Sequence, residues 1–477
     1  MRIPLRLSIC VMATILLGVG CGSDAENGNG GNGGNGGNGG AVATEDFEFA
    51  LVVNINDDGS SDPEELTVVN DRLFFGAKLA GASMGASSLH STDGTSDGTV
   101  VVPTLAGSVL QTIENPEGLT PYDGRLVFSS RDGLGITDGT ETGTIRLGSF
   151  SGTGGQRPRY FTEFDGRLFF AGGTTGEPYD VWATDGTDEG TQGVVTVDSD
   201  GFARPEQLTV AGDNLYFVAQ SADGGWDVWV TDGTEGGTRQ VTDFEFTSTP
   251  PHSLTEFNGE LVFGASDGGS NWQMWFTDGT EQGTRMITVA EPDQGEWGAY
   301  PQQFVQVGDH LLFSATTTGL SGDAALWKSD GTQQGTEELH DVTPQQMERA
   351  HVHTDGRLFF PANHPSHEGQ QLWVSDGTAG GTQLVAVIHP TENSFPNNFL
   401  SHDGLVFFTA EHPEHGGQVF VTNGTEAGTT MIRPADSDAE NAVAHRSSDF
   451  FWAALGDAIY LPAEYDDSNR ELWQLKR

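Results

Sequence analysis

Three residues, Asp-Gly-Thr, return along this chain at nearly constant spacing, and that period limits the fold more than any other feature. Copies begin at Asp93, Asp138, Asp185, Asp232, Asp278, Asp330 and Asp376, and Asn423-Gly424-Thr425 is a variant copy. The steps between them are 45, 47, 47, 46, 52, 46 and 47 residues. Each copy is followed by a second Gly-Thr, as in Gly186-Thr187 and then Gly190-Thr191. Three residues before the Asp stands a large aromatic: Trp182, Trp229, Trp275, Trp327, Trp373 and Phe420. Further upstream lies an apolar triplet such as Leu168-Phe169-Phe170, Leu215-Tyr216-Phe217 or Leu405-Val406-Phe407. A fixed period of 40–50 residues is the mark of a repeat architecture.

Each unit reads as four short strands. In the fourth unit these are Gln207 to Ala211, Asn214 to Ala219, Trp226 to Thr231, and a last strand beginning near Thr238. Asp-Gly favours a tight turn because glycine accepts positive φ, and Asp and Thr side chains can bond the turn's own amides. Successive apolar residues within the strands imply burial on both faces, as in blades stacked on blades. The reading is all-β, a β-propeller of about nine four-stranded blades, with eight as the alternative if one unit is degenerate. The last unit stops at Glu471-Leu472-Trp473 with no turn or fourth strand after it, while Phe47 to Ile55 resembles a fourth strand with no unit before it. The N-terminal strand is therefore expected to complete the last blade and close the ring. His90 and Gly135 stand in the aromatic slot of the first two units.

The motif resembles that of the ELWxxDGT repeat family of bacterial, mostly exported, propeller-like proteins. Leu372-Trp373-Val374-Ser375-Asp376-Gly377-Thr378 carries the likeness, with Gln371 for the Glu, and Glu471-Leu472-Trp473 matches the opening. The resemblance spans about residues 47–477 and implies fold and export. The turn also resembles the Asp-box of sialidase-type propellers, where it is structural, so the likeness implies no sialidase activity.

Residues 1–20 read as a lipoprotein signal peptide. Arg2 and Arg6 precede an apolar run from Leu7 to Val19, too short to span a bilayer. Leu16-Leu17-Gly18-Val19-Gly20-Cys21 resembles the bacterial lipobox, which implies that Cys21 is acylated; ordinary cleavage would instead leave it a free thiol. Residues 21–44 are then the lipidated Cys and a flexible Asn/Gly-rich tether; its stretch from Gly22 to Gly40 has nothing apolar to bury and, as a Gly-rich coil of about 20 residues, reaches about 25 Å. Residues 45–477 form the single propeller. Gly22 after the cysteine, rather than Asp, points by the same analogy to the outer membrane of a Gram-negative envelope.

The formal net charge is −47, from 21 Lys+Arg against 68 Asp+Glu. That excludes nucleic acid, which requires a basic face, and leaves the lipid as the only membrane contact. With 28 Phe and 10 Trp the chain is nonetheless a folding one. Cys10 and Cys21 allow no disulfide scaffold.

Three sets of residues are candidates for binding. Asn54, Asn56, Asp58, Ser60, Asp62 and Glu65, with Gly59 at the sixth position, have the oxygen spacing of an EF-type calcium loop, between strands rather than helices. A solvated acidic inter-blade loop is the alternative, and Asp198-Ser199-Asp200-Gly201 keeps only the middle of the pattern. His364 and His367, then His412 and His415, fall in the same hairpin of consecutive units and could bind zinc, copper or nickel, unless they merely fill a His-Gly turn. Trp226 and Trp272 occupy equivalent positions three residues before the aromatic slot; they are ligand-stacking aromatics or extra packing, as are Trp297 and Trp452. Arg72, Arg125, Arg167 and Arg357 share one slot and read as scaffold. No hydrolase or phosphate-loop motif stands out. The functional reading is a monomeric, non-catalytic platform for an envelope or extracellular protein or glycan, perched on its lipid and with calcium as the one candidate cofactor. The alternative is an extracytoplasmic hydrolase or lyase with its active site over the channel.

Cys21→Ser should block processing or release the protein from membranes. Fractionation of envelopes checks this; full retention of the variant contradicts the lipobox reading.

Overall fold

A computed structural model describes residues 40–81, 86–103, 112–150, 157–174, 179–195, 204–221, 224–244, 249–266, 271–290, 298–316, 324–434, 437, 439–440, 442–443, 452–465 and 469–477. The signal peptide, Cys21 and the tether as far as residue 39 lie outside these residues. Among the described residues the strands form nine antiparallel sheets, meanders in chain order except that the last takes its outer strand from the N-terminal segment and the seventh has its first strand in two pieces. The fourth blade runs Glu206–Ala211, Asn214–Gln220, Trp226–Thr231 and Arg239–Gln240, within one residue of the sequence reading. In blade eight, Phe408 rather than Phe407 faces the aromatic slot at Phe420. The equivalent triplet there is therefore Val406-Phe407-Phe408, one residue later than expected.

Nine buried apolar clusters correspond to nine seams between adjacent blades. Each draws on both neighbours: Phe169, Ala171 and Val181 of blade three meet Leu208, Leu215 and Phe217 of blade four. This explains why strand residues are apolar on both faces. The core of a propeller is its set of seams, and the ninth seam, joining Tyr460 and Leu472 to Leu73 and Phe75, completes the circle. His90 fills the first aromatic slot by stacking on Phe75 at 5.4 Å, with its Nδ1 held 2.8 Å from the Ser88 carbonyl.

Closure follows the expected route. Glu48–Val53 pairs antiparallel with Glu471–Lys476, which continues through Ala458–Ala463 to Ala453–Leu455. The buried Glu471 carboxylate reinforces the join. It accepts the Ile55 amide (3.0 Å), the Ser61 amide (3.2 Å) and the Ser61 hydroxyl (2.6 Å).

The Asp-Gly-Thr turns repeat one hydrogen-bond pattern. Asp376 Oδ1 accepts the amide (2.9 Å) and hydroxyl (2.7 Å) of Thr378. Thr378 Oγ1 in turn accepts the Gly381 amide at 3.0 Å. The buried Ser375 hydroxyl accepts the Gly377 amide (3.1 Å) and bonds Thr382 Oγ1 (2.8 Å). The Thr hydroxyl and amide hold Asp93, Asp138, Asp185, Asp232, Asp278 and Asp330 below the ordinary carboxylate range. The first glycine has positive φ, +84° at Gly377, while a Cβ on the second would overlap the Asp carboxylate. Both glycines of the repeat thus have a steric reason. The shared arginines are spent in the same scaffold: Arg167 donates to the Gly233 carbonyl and Arg357 to that of Asn423, each in the turn of the next blade.

Gly380 and Gly381 provide an internal control, because a Cβ on Gly380 meets nothing within 4 Å. Gly381→Ala should cost about 1–2 kcal/mol, the value of a lost side-chain cap. Gly380→Ala should be neutral or gain up to about 1 kcal/mol. Chemical denaturation of both variants checks the pair; equal losses would contradict the steric account.

Candidate functional site

From blade nine through blade one to blade six the first strand packs against the first strand of the next blade, and Met347–Arg349 takes that place in blade seven, so these segments line the axis. Most of them open with a bulge, and at its second residue the backbone is left-handed: Glu65 (φ 53°), Tyr160 (60°), Gln207 (56°), Ser253 (57°), Gln303 (61°) and Asn398 (54°). In blade two the position is Gly118, at φ 66°. A left-handed non-glycine residue costs roughly 1–2 kcal/mol. At four blades the side chain reaches the next one. Glu65 Oε2 accepts the Leu119 amide at 2.9 Å, and Gln207 Nε2 donates to the Pro251 carbonyl at 3.0 Å. Ser253 Oγ accepts the Gln303 amide at 3.0 Å, and Gln303 Oε1 accepts the Met347 amide at 3.1 Å. The bulge aims a polar group across the seam, and these bonds offset the strain.

Charged and phenolic groups gather at this end of blades one to four. Burial pushes Glu65 up to about 7; the Leu119 amide opposes the rise, and the carboxylates of Glu64 and Glu117 add to it. Glu64 accepts the Ser87 hydroxyl at 2.8 Å, and Glu117 pairs with Arg157 at 2.7 Å. Glu206 is also raised by burial, against the pull of Arg159 and Arg204. Tyr179 donates its hydroxyl to the Arg157 carbonyl at 3.3 Å. Chemically this is a mixed acid, guanidinium and phenol surface, able to hydrogen-bond a polar ligand.

The expected calcium loop does not gather around one point. Asn56 closes a turn on itself, its Nδ2 donating to the Ser60 carbonyl (3.1 Å) and its Oδ1 accepting the Asp58 amide (3.2 Å). Ser60 Oγ accepts the Arg470 amide at 3.1 Å. Asp62 is paired with Lys78 at 2.6 Å and Arg470 at 3.4 Å, and Glu65 is turned to blade two. Asn54 lies on the exposed approach to this turn. The spacing is that of a calcium loop, but Asn56, Ser60, Asp62 and Glu65 are each engaged by other partners. The related Asp198 to Gly201 loop lies outside the described residues.

The two histidine pairs do not meet either. His412 stacks on His415 at 5.0 Å, and Arg433 stands 3.4 Å from His415 Nδ1. His364, 6.2 Å from His367 between ring centroids, turns instead to His340 and Asp341. Trp272 is buried, stacked on His252 at 5.1 Å and tilted against Tyr300, so it is packing and not a ligand platform. Trp226 is half-buried at the start of its strand. Trp452 belongs to the seam of blades eight and nine, and Trp297 lies outside the described residues.

Sequence reasoning missed the residue two before the aromatic slot. Asp227 Oδ1 accepts the Phe244 amide (3.0 Å), Gln273 Oε1 that of Val289 (2.8 Å), and Gln371 Oε1 that of Ile388 (2.9 Å). Each ties down the strand or crossover leaving its blade, and Glu471 does the same for the closing segment. The constant offset from the aromatic was the available signal.

No protein-family model and no curated protein matches the chain. Solved propeller structures do, at low identity. A puromycin-hydrolyzing peptidase of Mycobacterium tuberculosis aligns over 89 % of this chain and 62 % of its own, at 11 % identity and TM-score 0.41. A prolyl endopeptidase aligns over 86 % and 56 %, at 11 % identity and TM-score 0.45. The β-propeller domain of the Trilobed protease from Pyrococcus furiosus aligns over 79 % and 98 %, at 12 % identity and TM-score 0.37. The chain spans about three fifths of the first two. These likenesses concern the propeller fold.

Glu65 is raised above its ordinary 4.5, so its ionisation opposes folding: stability is full below pH 4.5 and falls as pH rises towards about 7. The slope from one such group is at most about 1.4 kcal/mol per pH unit. Glu65→Gln keeps an acceptor for the Leu119 amide and removes the titration. Its melting temperature should therefore vary less than the parent's between pH 5 and 7, and parallel profiles would contradict the assignment.

Proposed function

We propose that this chain is a non-catalytic binding platform for a protein or glycan, held at the cell envelope by a lipid on Cys21. The observation that carries the reading is how the scaffold uses its site-like polar groups. Glu65 has the raised carboxyl of a catalytic acid, yet it occupies the slot in which Gln207, Ser253 and Gln303 make the same reach across a seam. Buried Glu471 occupies the slot of Asp227, Gln273 and Gln371. Repeated slots build rings; a catalytic centre needs a unique convergent set. What remains for recognition is the surface at the axial end whose chemistry changes from blade to blade, Glu64, Glu117, Arg157, Arg159 and Tyr160 among it. The likeness to ELWxxDGT repeats and the lipobox pattern support export and anchoring.

A hydrolase or lyase over the channel is the second reading. It is favoured by Glu65 standing near neutrality beside Glu64 and Glu117, an arrangement from which general acids are made. One experiment separates the two. The detergent-extracted full chain and its Glu65→Gln variant are incubated with isolated envelope glycans and with peptide and ester substrates. The platform reading expects saturable binding, equal in both proteins, with the ligand recovered intact. Turnover by the parent that is lost in Glu65→Gln would establish the enzyme instead.

A further inference from the structure

Among the described residues, one group of three metal-ligating side chains converges: His340, Asp341 and His364, with ligand atoms all within 4.8 Å of one another. His340 ends the outer strand of blade six, Glu337–His340, and Asp341 begins the crossover. His364 ends the second strand of blade seven, Leu358–His364. One carboxylate oxygen, Asp341 Oδ1, lies 3.1 Å from His340 Nδ1 and 3.2 Å from His364 Nε2. Two donors each about 2.0–2.1 Å from a tetrahedral zinc ion stand about 3.3 Å apart. Two of the three edges already have the length of a coordination shell, and the third is within 4.8 Å.

The hydrogen bonds around the cluster are the ones a metal would replace or rearrange. Val342 donates its amide proton to His340 Nδ1 at 3.1 Å, so that nitrogen carries a lone pair. It nevertheless faces a carboxylate oxygen at 3.1 Å. An imidazole nitrogen has one lone pair, so a metal held between Nδ1 and the carboxylate takes the place of the Val342 amide bond. At His364 the other ring nitrogen has its own partner: Nδ1 lies 2.6 Å from the Ser366 hydroxyl and accepts the Ser366 amide at 3.1 Å. That amide bond leaves the ring proton on Nε2, facing Asp341; a metal at Nε2 requires the other tautomer, in which Nδ1 gives up the amide bond and donates its proton to the Ser366 oxygen. This is the outer-shell support that orients ligating histidines. Trp373 packs against both rings, at 5.6 Å from His340 and 5.3 Å from His364, and fixes their planes.

We propose that His340, Asp341 and His364 form a site for a divalent ion of the zinc class, with water in the fourth position, that staples blade six to blade seven. Two imidazoles and one carboxylate suit zinc and its borderline neighbours better than calcium. The location gives the staple a purpose. Blade seven is the blade whose axial strand is broken, pairing only through Thr343–Pro344 and His351–Val352 on either side of the turn Met347–Arg349. A metal bond at the seam's outer side compensates for the weakened inner one.

The test uses the untagged full chain in detergent, stripped with chelator and titrated with zinc chloride by calorimetry. The expected result is one equivalent bound with micromolar or tighter affinity, and a melting temperature that rises with zinc by mass action. His340→Ala, His364→Ala and Asp341→Asn should each weaken binding at least about tenfold. Asp341 is exposed, so its variant keeps the fold and guards against loss by unfolding. His412→Ala should bind as the parent does. Nickel should quench part of the tryptophan emission in the parent and less in Trp373→Phe. Non-saturating uptake, unchanged affinity in Asp341→Asn, or a loss confined to His412→Ala would overturn the site.

Discussion

A propeller has no centre to collapse onto, so its stability rests on closing the circle. Here that closure joins residues about 400 apart: Glu48–Val53 adds the outermost strand to the blade that ends the chain. Glu471 then fixes the segment leading into blade one by accepting bonds from Ile55 and Ser61. Its partners are all donors, which suits a carboxylate and would suit an amide badly. Without this join the last blade would expose an unpaired edge, and the seam of Val52, Tyr460 and Leu472 against Leu66 and Leu73 would open.

Once the ring is closed, each level of the repeat serves its neighbour. Aromatic slots and triplets fill the seams. Asp-Gly-Thr turns satisfy their own amides and accept arginines from the preceding blade. Bulged axial strands accept left-handed strain to send Glu65, Gln207, Ser253 and Gln303 across to the next blade. The consequence for function is that a perturbed or buried polar group is not by itself a sign of chemistry in this fold. Position within the repeat decides, and Glu65 and Glu471 both occupy repeated positions.

The architecture was legible because the residues that specify it are chemically distinctive and recur at fixed offsets. Asp, Gly, Thr and Trp marked the turns and slots, and the ragged ends at Phe47 and Trp473 announced the closure. The axial bulge was not legible. Glu65, Tyr160, Gln207, Ser253 and Gln303 share a backbone conformation and an offset of eight from the triplet, but no side-chain chemistry. The pattern from Asn54 to Glu65 shows a related limit: spacing in sequence says nothing about Lys78, Arg470 and Leu119, which come from elsewhere and bond Ser60, Asp62 and Glu65. The histidines show the same limit. His364 paired with His340 and Asp341 across a seam, and not with the equivalent hairpin of the next blade.

Native-state hydrogen exchange is the most direct test of the account, because it measures the closing strand's stability in the unaltered protein. If the ring is closed by its N-terminus, hydrogen-bonded amides of Glu48–Val53 should exchange with the same high protection as those of Glu471–Lys476, opening in one cooperative unit. Amides of Glu48–Val53 that exchange at the rate of an unstructured tail, while Glu471–Lys476 stays protected, would contradict it.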